Sequence, residues 1–183
     1  MSRQRQKIVP LARGKVLEIG FGTGLNLPFY NIDQVSHLWA LEPSFDMYRM
    51  AKRNITDLSS IEYLHARAQS IPLQKDEVDC IVMTYTLCSI DEADLALSEF
   101  RRVLKPGGKL FFCEHGESPD EGIKIWQDRI NPLWRKVAGG CCLNKDIPTT
   151  LAAGGFLVTR LNAMYIPGWK PLSYNYWGTA VAR

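Results

Sequence analysis

The amino-acid sequence predicts an α/β fold: a doubly wound, mostly parallel sheet with helices on both faces. Three observations predict it. Apolar runs of strand length recur from residue 15 onward, stretches with helical spacing separate them, and the first run ends in the glycine-rich turn of VLEIGFGTGLN (16–26). Strands alternating with helices imply parallel pairing through right-handed crossovers.

Residues 3–12 read as a short basic helix leading into the sheet. KVLEI (15–19) is apolar enough for a strand buried on both faces. HLWALE (37–42) and IEYLHARA (61–68) are the second and third strands. Between them SFDMYRMAKRNI (44–55) places Met47, Met50 and Ala51 at helical spacing, with Tyr48 and Ile55 alongside and Ser44 as N-cap. DCIVMTYTL (79–87) is the fourth strand. In SIDEADLALSEFRRVL (89–104), Ser89 and Glu92 match a capping box, and Ala93, Leu97, Phe100 and Leu104 share one face. KPGG (105–108) closes that helix, and KLFFCEH (109–115) is strand five. GIKIWQDRINPLWRKVAGG (122–140) is helical, broken or kinked near Pro132, with Trp126 and Trp134 on one packing face. DIPTTLAAGG (146–155) is a short helix. GFLVTRLNAMY (155–165) and LSYNYWGTAVAR (172–183) form a strand pair joined by IPGWKP. The absence of a linker or repeat makes residues 1–183 one expected domain.

Composition excludes several classes. The 183 residues are 46% hydrophobic and 22% charged, the balance of a globular chain with a core of its own. A net charge of +3, from 22 basic against 19 acidic residues, lacks the basic excess of a nucleic-acid binder. MSRQRQK followed by IVPLA is too short for a signal peptide or an integral membrane segment, so a cytoplasmic protein is expected. The five cysteines (Cys80, Cys88, Cys113, Cys141, Cys142) include no C-x-x-C pair, which favours reduced thiols, with Cys80 and Cys113 as small core residues. The three histidines, His37, His65 and His115, stand at no ligand spacing from a cysteine pair, and no metal is expected.

Gly20, Gly22 and Gly24 admit three readings. In the first, glycine serves only a tight strand-to-helix turn by permitting positive φ. A dinucleotide fold needs G-x-G-x-x-G opening a helix, but Leu25 occupies the third position, and Asn26 and Pro28 follow at once. The spacing E-x-G-x-G-x-G from Glu18 to Gly24 fits an S-adenosylmethionine (SAM) site, where a Cβ at Gly20 or Gly22 would occupy the volume of the methionine tail and ribose. Glu42, at the end of strand two, suits hydrogen bonds from both ribose hydroxyls. ARAQSIPL (66–73) follows strand three over the ligand crevice, where Ala68 and Gln69 meet the adenine edge and Ile71 or Leu73 its face. YTLCSI (85–90) lies across the crevice, at the end of strand four.

With VLEIGFGTGLN, ALEPS, ARAQSIPLQKDEVDCIV and FRRVLKPGGKLFF in order over residues 16–112, the chain resembles the class I SAM-dependent methyltransferases. The resemblance implies a Rossmann-like, three-layer fold with a seven-stranded sheet ordered 3-2-1-4-5-7-6 and strand 7 antiparallel. It implies SAM as cofactor, leaving as S-adenosylhomocysteine. Glu18, Gly20, Phe21, Gly22, Gly24 and Asn26 would border the methionine end, Glu42 and Pro43 the ribose, and Ala68, Gln69 and Ser70 the adenine. Thr84, Tyr85 and Thr86 would floor the pocket.

Methyl transfer from a sulfonium mostly requires alignment of donor and acceptor, and a base only if the acceptor is protonated. The place of an N/D-P-P-Y motif is held by Thr84-Tyr85-Thr86-Leu87, which argues against base-amino and glutamine acceptors. A small, fairly apolar molecule is the expected partner. EHG (114–116), WQDRINPLW (126–134) and GGCCLNKD (139–146) are similar to a subgroup that includes the methyltransferase-like alkyl-thiol methyltransferases of animals, which makes a thiol the leading acceptor. The hydrophobic N-terminal anchor of those relatives is not matched here. A phospholipid, a quinone or another N-, C- or O-acceptor is the alternative, and a catalytically silent SAM-binding module a further one. His115, just past strand five, is the candidate general base, or else a residue that holds the 115–122 loop. Tyr85 either bonds the acceptor or donor, or is plain pocket wall. Residues 115–150, with Cys141, Cys142 and Asn144, are expected to cover the substrate site.

Overall fold

The computed structural model describes residues 2–54 and 61–183. Its centre is a seven-stranded sheet ordered β3-β2-β1-β4-β5-β7-β6. The strands are β1 (Gly14–Ile19), β2 (Val35–Leu41), β3 (Ile61–Leu64), β4 (Val78–Thr84), β5 (Leu104–His115), β6 (Phe156–Tyr165) and β7 (Tyr174–Ala182). Strands β1 to β5 pair in parallel, and β7 runs antiparallel to both β5 and β6. The sheet order and the antiparallel seventh strand are those the resemblance implied.

Both faces of the sheet are buried, and side-chain alternation divides them. Leu17, Ile19, Trp39, Leu41, Ile81 and Met83 pack with Leu97, Phe100 and Leu151. These last come from α3 (Ala93–Val103) and α5 (Ile147–Ala153). On the opposite face Val16, Leu38, Ala40, Val82, Phe111 and Cys113 pack with Ile8, Val9 and Ala51. Those come from α1 (Ser2–Ile8), the 3-10 turn after it, and α2 (Phe45–Asn54). Two-sided burial is why the strands read as continuous apolar runs. Cys80 and Cys113 are buried in this second cluster, as expected of small core residues.

Several boundaries differ from expectation. The third strand ends at Leu64, because Ala66 N–H bonds back to the Leu64 carbonyl and the chain turns towards the crevice. The predicted capping box is absent. Leu87–Ser89 form a 3-10 turn, Ile90 is extended, and α3 begins after Glu92 with no side-chain cap. Ser44 does cap α2, its Oγ accepting from Met47 N–H at 3.4 Å. Yet Met47 and Met50 are exposed and only Ala51 of that trio is buried, while Ile55 lies outside the described residues. The fourth helix, α4 (Glu121–Val137), runs unbroken through Pro132, which faces solvent. Trp126 is exposed, and Gln127 is that helix's buried residue.

Candidate active site

The crevice opens where the carboxyl ends of β1, β2 and β4 meet, and there the chain encloses a cavity of about 690 Å³. Its walls include Gly20, Gly22, Glu42, Pro43, Ala68, Gln69, Tyr85, Thr86, Ile90 and Gly139. Thus residues from every motif after β1, β2, β3 and β4 converge on one space.

The turn after β1 holds Gly20, Gly22 and Gly24 at φ of 67°, 57° and 79°, a region side chains rarely adopt. The first two differ in what excludes a side chain. A Cβ on Gly20 would fall 2.4 Å from Thr86 Oγ1, so this glycine admits the β4 turn rather than a ligand. A Cβ on Gly22 would meet nothing nearer than the Gly20 carbonyl oxygen at 3.9 Å, and the bare backbone faces the cavity. The expectation that both glycines clear space for a ligand therefore narrows to Gly22.

Glu42 is held by that turn. Its Oε2 accepts from Gly22 N–H at 2.9 Å, and its Oε1 accepts from Ser44 N–H at 3.0 Å. Each oxygen keeps a lone pair for a further donor, so the carboxylate is aimed before any ligand arrives. Pro43, Ala68 and Gln69 continue this wall, whereas Ser70 is exposed and outside it. Ile71 and Leu73 pack on the core and do not reach the cavity. Phe21 is buried in the second core cluster and props the turn beneath Gly24.

Glu18, Asn26 and Thr84 form a separate, buried knot. Glu18 accepts from Asn26 Nδ2 at 2.9 Å and from Tyr30 Oη at 2.7 Å. Burial nevertheless raises its carboxyl from 4.5 to about 7, against those two bonds and the nearby Arg5 charge. Arg5, from α1, caps the knot: its Nη1 lies 2.6 Å from Asn26 Oδ1 and 2.5 Å from Thr84 Oγ1. Its guanidinium also stands over the Tyr85 ring, 5.2 Å from the centroid. Sequence reasoning placed a basic helix here but not its role, because no local pattern brings residue 5 to residue 84.

Tyr85 has φ 56°, a strained conformation for a residue with a side chain. It lines the cavity while its hydroxyl donates to the buried Asn175 Oδ1 at 2.7 Å. Burial pushes its phenol far above 10. The following turn is clamped at both ends. The buried Glu114 accepts from Thr86 N–H at 2.9 Å and Cys88 N–H at 3.4 Å, and Lys145 Nζ donates to the Leu87 and Ile90 carbonyls at 2.8 Å. Neither clamp was legible as such, since their partners lie far apart in the chain.

His115 departs from its expected place. It is buried, does not line the cavity, and stands behind Tyr85 with ring centroids 5.8 Å apart. Its Nε2 lies 3.3 Å from Cys141 Sγ, and Cys141 Sγ lies 3.1 Å from Cys88 Sγ. The three donor atoms fall within 4.8 Å of one another, a cluster invisible in the spacing of cysteines along the chain. Cys142, by contrast, is turned away towards the Gly140 carbonyl. Of residues 115–150, Gly139 is the one that reaches the cavity wall.

A side-chain-free turn, an aimed carboxylate one strand away and this strand order define the class: a SAM-dependent methyltransferase of class I. The chain belongs to the methyltransferase domain family, whose model matches residues 17–112. It is 31% identical to the human thiol S-methyltransferase TMT1B over 178 residues, covering 93% of this chain and 72% of that protein. It is 29% identical to the demethylmenaquinone methyltransferase of Clavibacter sepedonicus over 112 residues, 61% of this chain and 45% of that one. Among solved structures, the YcgJ protein of Bacillus subtilis superposes with a TM-score of 0.79 at 14% identity, covering 100% of this chain and 99% of the other. A geranyl diphosphate methyltransferase in complex with SAM superposes at 0.77 and 12% identity, over 100% and 85% of the two chains. Among the described residues no helix is long and apolar enough to cross a membrane.

Proposed function

We propose that the chain transfers the methyl group of SAM to the sulfur of a small, fairly apolar thiol. The donor's ribose hydroxyls bond to Glu42, its adenine lies against Ala68 and Gln69, and Gly22 makes room between them. Arg5 receives the donor's carboxylate above the Glu18–Asn26–Thr84 knot, a role supported by its fixed position over Tyr85. With the donor held this way, Tyr85, Thr86, Ile90 and Gly139 are the wall residues that would border its methyl group. Of residues 115–150, the loop at Gly139 supplies the cover on that side, and residues 1–183 act as a single domain.

The observation that carries the thiol reading is that neither expected acid–base residue is free to take a proton. Tyr85 donates to Asn175 and burial holds its phenol protonated, and His115 is engaged with Cys141 behind the wall. A thiol is a far stronger acid than an alcohol (about 8.5 for the cysteine side chain), so it supplies thiolate unaided where an alcohol supplies no alkoxide. His115 accordingly acts as a positioning residue behind Tyr85. The similarity to TMT1B supports the same acceptor. A second reading, methylation of a quinol ring carbon, is favoured by the similarity to the demethylmenaquinone enzyme.

The test is incubation with methyl-labelled SAM and a panel of alkyl thiols, amines, phenols and quinols. Label is expected in thiols, at a rate that climbs with pH through the thiol's own pKa. Label confined to quinols selects the second reading. SAM that binds without transfer to any of them makes the chain a binding module.

A further inference from the structure

Outside the donor cleft, the Cys88–Cys141–His115 cluster is the densest group of reactive side chains among the described residues. The two sulfurs, 3.1 Å apart, come from opposite banks: Cys88 from the clamped 3-10 turn after β4, Cys141 from the loop after α4. Their backbones are tied as well, since Cys142 N–H donates to the Cys88 carbonyl at 2.9 Å. A disulfide needs the sulfurs about 2.05 Å apart, so bond formation asks for a movement of roughly 1 Å.

We propose that Cys88 and Cys141 form a peroxide-oxidisable pair, with Cys141 as the attacking sulfur and Cys88 as the resolving one. The surroundings assign the order. Cys141 stands between the Cys88 sulfur at 3.1 Å and the His115 Nε2 at 3.3 Å, and the imidazole beside it favours a thiolate. Its pKa is lowered, by the contact with Cys88 first and by His115 as well. Cys88 moves the other way, raised by that same contact and by burial. Burial lifts Cys80 to about 11 and Cys113 to about 12, so both stay protonated and unreactive. Hydrogen peroxide, little larger than water, suits so closed a site.

In the first step the Cys141 sulfur attacks one peroxide oxygen. An S–O bond forms, the O–O bond breaks, and the departing hydroxide takes a proton from the His115 imidazolium to leave as water. In the second, the Cys88 sulfur attacks the sulfenic sulfur, an S–S bond replaces the S–O bond, and hydroxide leaves with the Cys88 proton as a second water. The dithiol loses two electrons and one peroxide gains them. The new bond staples the loop carrying Gly139 to the turn carrying Ser89 and Ile90, all three in the wall of the cleft.

The experiment treats the reduced full-length chain with hydrogen peroxide near neutral pH and follows intact mass and peptide maps, a readout independent of methyl transfer. The expected product has lost the mass of two hydrogens and yields one peptide linked through Cys88 and Cys141. Cys142→Ala still forms it. Cys88→Ser, checked for folding by circular dichroism, stops at a Cys141 sulfenic acid that dimedone traps. A link through Cys142, first oxidation at Cys80 or Cys113, or five alkylatable thiols after treatment of the folded chain would overturn the proposal. So would stoichiometric zinc that shields both sulfurs.

Discussion

The donor side and the acceptor side of the cleft are built by different means. The donor side rests on backbone: a turn with three positive-φ glycines, and a carboxylate tied by two N–H groups to the turns that follow β1 and β2. The acceptor side rests on side chains that reach across the chain, with Glu114 and Lys145 clamping residues 86–90 and Asn175 holding Tyr85. A site made of backbone leaves a compact trace in sequence, and one made of distant side chains does not. The first is suited to one invariant ligand. The second changes its specificity through single side chains while the fold stays in place.

Substitutions on the donor side break this contrast most sharply. Gly22→Val is expected to lower SAM affinity by at least about a hundredfold, measured by titration calorimetry, since its side chain enters the cavity. Strain at positive φ also contributes, so Gly107→Val is the control: φ there is 77° and a Cβ meets nothing within 4 Å, but the residue lies outside the donor cleft. Strain alone costs roughly 1–3 kcal/mol of stability in either variant, and equal SAM affinity in both would sink the role given to Gly22. Gly20→Val instead disrupts the Thr86 contact and is expected to appear as a lowered melting temperature.

Next in size is Glu42→Ala. Hydrogen bonds to a charged group contribute roughly 1.5–3 kcal/mol, so SAM affinity should fall by one to two orders of magnitude, and unchanged affinity would remove Glu42 from the ribose. Arg5→Ala tests the knot beneath the methionine end. About a tenfold loss of SAM affinity is expected, with little change for 5′-methylthioadenosine, which lacks the carboxylate. An equal loss for both ligands would mean that Arg5 only supports the fold.

The donor half was legible for a physical reason. Glu18 to Gly24 and Glu42 occupy set places at the ends of neighbouring strands, and the unbroken burial of Val16 on one face with Leu17 and Ile19 on the other marks such a strand as covered on both sides. His115 and Cys141 show the opposite case. Their spacing along the chain carries no pattern, and only the packing of the loop after α4 against the turn at residues 87–89 brings them together. The capping box at Ser89 failed for the same cause: Glu114 and Lys145, remote in sequence, hold those residues in a 3-10 turn before the helix can begin.

The last expected effect is one of pH and bears on stability rather than on ligand affinity. With its carboxyl raised from 4.5 to about 7, the folded chain holds a proton on Glu18 that the unfolded chain releases between those values. That contribution is complete below pH 4.5 and is lost as pH climbs towards 7, with a slope no greater than about 1.4 kcal/mol per pH unit. Glu18→Gln, which cannot ionise, should flatten the denaturation midpoint over this window. A wild-type midpoint that rises across it, with the variant following in parallel, would show that Glu18 titrates as an ordinary carboxylate.

The most direct test of the donor assignment is a crystal structure of the complex with S-adenosylhomocysteine. The account predicts both ribose hydroxyls within hydrogen-bond distance of Glu42, the Gly22 backbone against the ligand, and the sulfur facing Tyr85 and Ile90. A nucleoside seated elsewhere, for instance in the smaller cavity beside Asp79 and Gly107, would contradict it.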